Sequence, residues 1–167
     1  MRKHYWYIIF SLLFSLFIYV FYRTDKTLIN QIIIQFVSVT EYEDLKTIIR
    51  SSLPLNKHII YSLPEGLWVF SITLTSKEFY LMLFNKRIHC VYIPLMYAIG
   101  LEFSQLFQFT NGRFDFFDIG ISFICWLIAA KINTNQQPQN IFTMPNYNSA
   151  VCMLSYCIVY LAHVTSA

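Results

Sequence analysis

From Tyr5 to Tyr22 the chain carries no charged side chain. A run of about 18 apolar residues is long enough to cross the hydrocarbon of a bilayer as a helix, and this one follows Arg2 and Lys3. A signal peptide is the rival reading of such a start. The run is longer than a usual signal core, and Phe21-Tyr22-Arg23-Thr24-Asp25-Lys26 offers no small-residue cleavage site. An uncleaved first helix is therefore expected.

The same alternation of apolar runs and polar connections continues to the end. Further spans are predicted at about 67–83, 90–106, 114–130 and 150–164, so the chain reads as all-α: one membrane domain, a polytopic transmembrane bundle of about five helices. Composition agrees, because 13% of residues are charged and 56% hydrophobic, whereas a soluble domain carries about 25% charged residues. The mean hydropathy is +0.48. Many Tyr and Trp residues fall near the ends of the runs, as interfacial rings do. The net charge of +3 is spread between runs without a dense basic patch, which argues against a nucleic-acid partner.

Between Arg23 and Ser62 the chain holds Glu41, Glu43, Asp44, Lys46, Arg50 and Lys57, with apolar residues at roughly helical spacing among them. This predicts a surface or amphipathic helical segment after the first span, punctuated by Pro54 and Pro64 before the second. The second span is the least regular because Lys77 and Glu78 sit inside it. Ser71, Thr75 and Glu78 share one helical face, which should turn toward other helices or a wet cavity; snorkelling of the charged pair to an interface is the alternative. Placing the N-terminus in the cytoplasm puts Arg2, Lys3, Lys86, Arg87 and Lys131 inside, with most weight on the short Lys86-Arg87 turn.

Cys90, Cys125, Cys152 and Cys157 form no CxxC pair and read as small core residues. His4, His58, His89 and His163 are scattered, and no HExxH or metal-ligand spacing occurs. Neither a metal nor a cofactor is predicted.

The informative stretch runs from Gly100 to Asp118. Glu102 and Gln105 are three residues apart and project from nearly the same helical face. The short connection to the next helix makes the two helices antiparallel neighbours, so Glu102, Gln105, Arg113, Asp115 and Asp118 can meet at one end of a hairpin. A lone charge at membrane depth costs about 2.5 to 3.5 kcal/mol, and Arg113 is the expected partner of Glu102 and Asp118. Such a cluster either pins the hairpin or lines a polar ligand pocket. Lys77, Glu78 and Ser122 are secondary candidates.

Glu102-x2-Gln105, a short loop, and Gly112-Arg113-Phe114-Asp115-Phe116-Phe117-Asp118 resemble the signature of VanZ-like membrane proteins, an E-x-x-Q helix followed by an R/T-x-D-x-x-D turn. Leu63-Pro64-Glu65-Gly66-Leu67-Trp68 is similar to the entry of an earlier helix in short bacterial relatives. The resemblance covers about 63–130; Ser122 and Cys125 stand where many members have Asn and Gly. It implies a role at the bacterial cell envelope, in the cytoplasmic membrane, with a link to teicoplanin-type glycopeptide resistance, and it implies no reaction. The leading expectation is binding of a membrane lipid head group or a lipid-linked envelope precursor. An intramembrane enzyme with Glu102 or Asp118 as general acid or base and an accessory subunit contacting another membrane protein are the alternatives. No internal repeat favours a transporter.

Overall fold

The computed structural model describes residues 5–23, 34, 37–109, 113–133, 139–142, 149–150 and 152–156. Cys157 and most of the fifth predicted span lie outside the described residues; of that span, residues 150 and 152–156 are helical. The chain is mostly helical, with one small sheet.

Helix α1, Tyr5–Tyr22, forms from the charge-free run. Its inward face is unusual, because Ser11 and Ser15 are buried with Ile18 while Trp6, Phe10 and Leu13 point outward. Small hydroxyl residues let the backbones of two helices approach and bond across the contact. Ser11 Oγ and Ser71 Oγ are 2.6 Å apart, and the Ser15 hydroxyl donates to the Pro64 carbonyl at 3.3 Å.

Helix α2, Val39–Ser52, is the expected amphipathic segment, begun by Ser38, whose hydroxyl accepts from the Glu41 N–H. It covers the end of α1, where the last carbonyls of a helix lack internal partners. Tyr42 donates its hydroxyl to the Val20 carbonyl at 2.6 Å, and Arg50 Nε donates to the Phe21 carbonyl at 2.8 Å.

Helix α3, Lys57–Ser76, is the centre of the molecule and runs antiparallel to α1. Asn56 caps it by accepting from the His58 N–H. Two expectations are corrected here. Pro64 does not punctuate the chain but lies buried inside α3, where the missing N–H frees a carbonyl one turn earlier. The second predicted span also ends sooner: α3 stops at Ser76, and Phe79–Leu83 is strand β1. A short apolar run suits a strand as well as a helix, and here the tertiary fold supplies the strand's partners.

Strand β2, Lys86–His89, pairs antiparallel with β1, and β3, Gln139–Asn140, pairs parallel on its other side. The all-α expectation is thus modified by a three-stranded sheet in the order β2-β1-β3. Phe84 and Asn85 close the hairpin with φ of 48° and 60°, the double left-handed conformation of a two-residue turn that follows strand twist. Phe79, Cys90, Ile141 and Cys152 form a small core against the sheet. Cys90 and Cys152 therefore act as core residues.

A short 3-10 turn, Cys90–Tyr92, leads into α4, Ile93–Leu106, and the chain returns as α5, Phe116–Lys131. The Trp126 indole N–H donates to the Val91 carbonyl at 2.8 Å, which fixes α4 and α5 as antiparallel neighbours. Helices α3 and α5 run parallel in their most extensive contact. Gly66 makes that approach possible: a Cβ there would lie 2.6 Å from Ile121 Cγ2 and 3.0 Å from Cys125 Sγ. The small residue of this contact sits on α3, facing Cys125.

Candidate functional site

The site lies where α1 and α4 end and α3 and α5 begin. Asp115 opens α5 in extended conformation, and its Oδ1 accepts from the Phe117 N–H at 2.9 Å. Asp118 follows in the first turn, where the helix dipole favours a negative charge. Its partner helix α3 places Ser62 against it, and the Ser62 side chain bonds to the Asp118 carboxylate. The rings of His58 and Phe117 pack just outside, tilted by 33° with centroids 4.3 Å apart.

Glu102 comes from the end of α4 and is 1% exposed. Its Oε2 accepts from the Asp115 N–H at 3.0 Å, so the carboxylate ties the end of α4 to the start of α5. Glu65 comes from α3. Carboxylate oxygens of Glu65, Glu102 and Asp118 all lie within 4.8 Å of one another.

Three full negative charges at such separations repel strongly in a poorly solvated place, so they demand a cation or shared protons. Arg23, just after α1, is the basic group whose charge reaches both Glu65 and Asp118. It is held by donating to the Tyr61 carbonyl at 2.8 Å and by lying over the rings of Tyr19 and Tyr61, 4.7 and 5.1 Å from their centroids. Its Nε is buried without a hydrogen-bond partner among the described residues, as are Asp118 Oδ1 and Ser122 Oγ. Ser122 is 0% exposed and stands one turn beyond Asp118 on the same face of α5.

The residues singled out from sequence divide clearly. Glu102 and Asp118 are brought together as expected. Asp115 serves by its backbone N–H and by capping α5, and Gln105 is half-buried on α4. Arg113 is exposed, so the expected pairing of Arg113 with the carboxylates gives way to Arg23. An exposed guanidinium keeps its hydration, whereas Arg23 is held against the bundle by two rings and a carbonyl. Glu65 was missed as a site residue, although the Leu63-to-Trp68 motif carried it. Arg23 had no signal beyond its charge.

Lys77 and Glu78 lie at the opposite end. The Lys77 ammonium donates to the carbonyls of Ala129 at 3.2 Å and Ala130 at 2.7 Å, and to that of Ile132. It therefore caps the last turn of α5, whose carbonyls have no helical partner. Glu78 is buried in the turn from α3 to β1, and its carbonyl accepts from the Gln139 N–H at 2.8 Å.

No family model matches this chain, and no curated protein or solved structure does.

Proposed function

We propose that this chain is a VanZ-like integral membrane protein of the bacterial cell envelope that binds the polar part of a membrane lipid or lipid-linked envelope precursor at the Glu65, Glu102 and Asp118 cleft. In this reading it is a multi-pass bundle in the cytoplasmic membrane, with a cytoplasmic N-terminus and the cleft at the extracytoplasmic ends of its helices. It contributes to teicoplanin-type glycopeptide resistance or to envelope homeostasis.

Two features support the membrane placement. Helix α1 is long and apolar enough to cross a bilayer by length and composition. Polarity is also inverted across the bundle: Ser11, Ser15, Ser62, Ser71, Thr73, Thr75 and Ser122 are buried, while Trp6, Phe10, Leu13, Met96, Phe123 and Ile128 are exposed. Water penalises an outer surface of that kind, and hydrocarbon does not. Helix α3, with 20 residues, is about 30 Å long, near the hydrocarbon thickness of about 30 Å. Strands β1 and β2 then lie beyond the hydrocarbon, because an open sheet edge has no hydrogen-bond partners there.

The observation that carries the binding reading is the convergence of three carboxylates from three helices beside Arg23. Carboxylates accept hydrogen bonds from hydroxyl and amine groups, and a guanidinium donates to phosphate oxygens. A head group bearing both kinds of group matches this cleft.

Native mass spectrometry of the protein extracted with its lipids tests the reading. A retained lipid is expected in the parent and in Arg113→Ala, and lost in Arg23→Gln and Asp118→Asn at unchanged membrane abundance. A parent that retains no lipid in preference to the bulk extract, or variants that retain it equally, would overturn it.

A further inference from the structure

We propose that Glu65, Glu102 and Asp118 form a binding site for one divalent cation of the hard, oxygen-seeking class, with Ca²⁺ the best match. The inference rests on the same cleft as the head-group reading and gives it a resident ion.

The donor set is all oxygen, the chemistry of calcium, manganese and magnesium rather than of zinc or copper. Size then discriminates among them. Two oxygens on a common ion can be separated by at most twice the ion–oxygen distance, roughly 4.6 to 5.2 Å for Ca²⁺ and about 4.2 Å for Mg²⁺. The three carboxylates lie within 4.8 Å of one another, a spacing that the longer bonds and flexible geometry of Ca²⁺ accommodate, and Mg²⁺ gives up its waters to a protein cage more reluctantly.

A second observation, outside the acidic group, points the same way. Ser122 is 0% exposed, and its hydroxyl has no hydrogen-bond partner among the described residues. One turn beyond Asp118, it adds a neutral oxygen on the face of α5 that carries Asp118. A buried hydroxyl without a partner carries a desolvation penalty that a bound ion or its water would remove. Oδ1 of Asp118 is likewise buried and without a donor among the described residues. Charge adds a further argument: a divalent ion together with Arg23 offsets the three carboxylates, with Asp115 and His58 the other groups whose charge reaches them.

Each ligand is also held before any ion arrives. Glu102 is oriented by the Asp115 N–H and Asp118 by Ser62, while the backbone that carries Glu65 is fixed by the close contact of Gly66 with α5.

Purified, chelator-treated protein in detergent micelles should be titrated with Mn²⁺ and followed by electron paramagnetic resonance of the free ion. Expected are one saturable site per chain, competition by Ca²⁺ at lower concentration than by Mg²⁺, and at least a tenfold loss of Mn²⁺ affinity in Glu65→Gln and in Asp118→Asn. Arg23→Gln should bind Mn²⁺ more tightly, because a like charge has been removed. Absence of a saturable site in the parent, or affinity unchanged in Glu65→Gln and Asp118→Asn variants whose circular dichroism matches the parent, would overturn the proposal. Native mass spectra with and without chelator separate the two readings. Ion bound without lipid refutes only the head-group reading, and lipid retained by a parent that takes up no ion in the absence of chelator refutes only this one.

Discussion

The backbone N–H of Asp115 donates to Glu102 Oε2 at 3.0 Å, so the acidic residue that ends α4 also anchors the residue that starts α5. One carboxylate oxygen thereby performs a structural task while the group as a whole faces Glu65 and Asp118.

These two roles separate by substitution. Glu102→Gln keeps an oxygen for the Asp115 N–H and removes a charge that repels its neighbours. In chelator it is expected to melt at or above the parent temperature. Glu102→Leu leaves the N–H without an acceptor, a loss of about 1 to 3 kcal/mol, offset in part by the relieved repulsion, and should melt below Glu102→Gln. Thermal unfolding in detergent checks the order, and a Gln variant that melts well below the parent would contradict it.

Lys77 is expected to act through the end of α5. Lys77→Met retains the stem but removes the donor to Ala129, Ala130 and Ile132. Hydrogen bonds to charged groups are worth about 1.5 to 3 kcal/mol, and one donor group serves all three carbonyls. A loss of about 2 kcal/mol is predicted, with faster amide exchange in the last turn of α5 and none of the change at Asp118. Uniformly faster exchange through the bundle would argue for a different role.

Gly66 carries the closest helix approach. Gly66→Ala gains about 1 kcal/mol of helix propensity, but its Cβ would meet Ile121 Cγ2 at 2.6 Å, and overpacking costs about 1 to 3 kcal/mol. The net effect is expected to be destabilising. Adding Ile121→Ala removes the colliding atom, so the double variant should lose less than the sum of the two single ones. Additive losses in a double-mutant cycle would show that the contact is not where the cost arises.

The hairpin tip holds Phe84 in the left-handed region, 93% exposed. A bulky residue at positive φ is strained by about 1 to 3 kcal/mol, and Asn adopts that conformation more readily. Phe84→Asn is expected to raise the melting temperature by a few degrees. It should also weaken quenching of nearby tyrosine fluorescence by lipid-borne quenchers, if the tip rests in the interface. An unchanged melting temperature would mean that strain at the turn is relieved elsewhere.

The pattern of residues was enough to place α1, α2, α4 and α5, because each rests on a local signal: a charge-free run, an amphipathic period, or an apolar run bounded by a short polar connection. The short connection between Glu102 and Asp118 made their meeting legible too, since it leaves two helices little choice but to fold back on each other. Sequence order was mute on Glu65, Arg23 and the strand at Phe79–Leu83. Their partners come from distant parts of the chain, through the parallel packing of α3 on α5 at Gly66 and the antiparallel packing of α1 on α3 at Ser11 and Ser71. A helix announces its own hydrogen bonds in its composition, but which face it turns to which neighbour is settled by close contact between surfaces far apart in the chain. That choice gave the carboxylates Arg23 as their neighbour instead of Arg113.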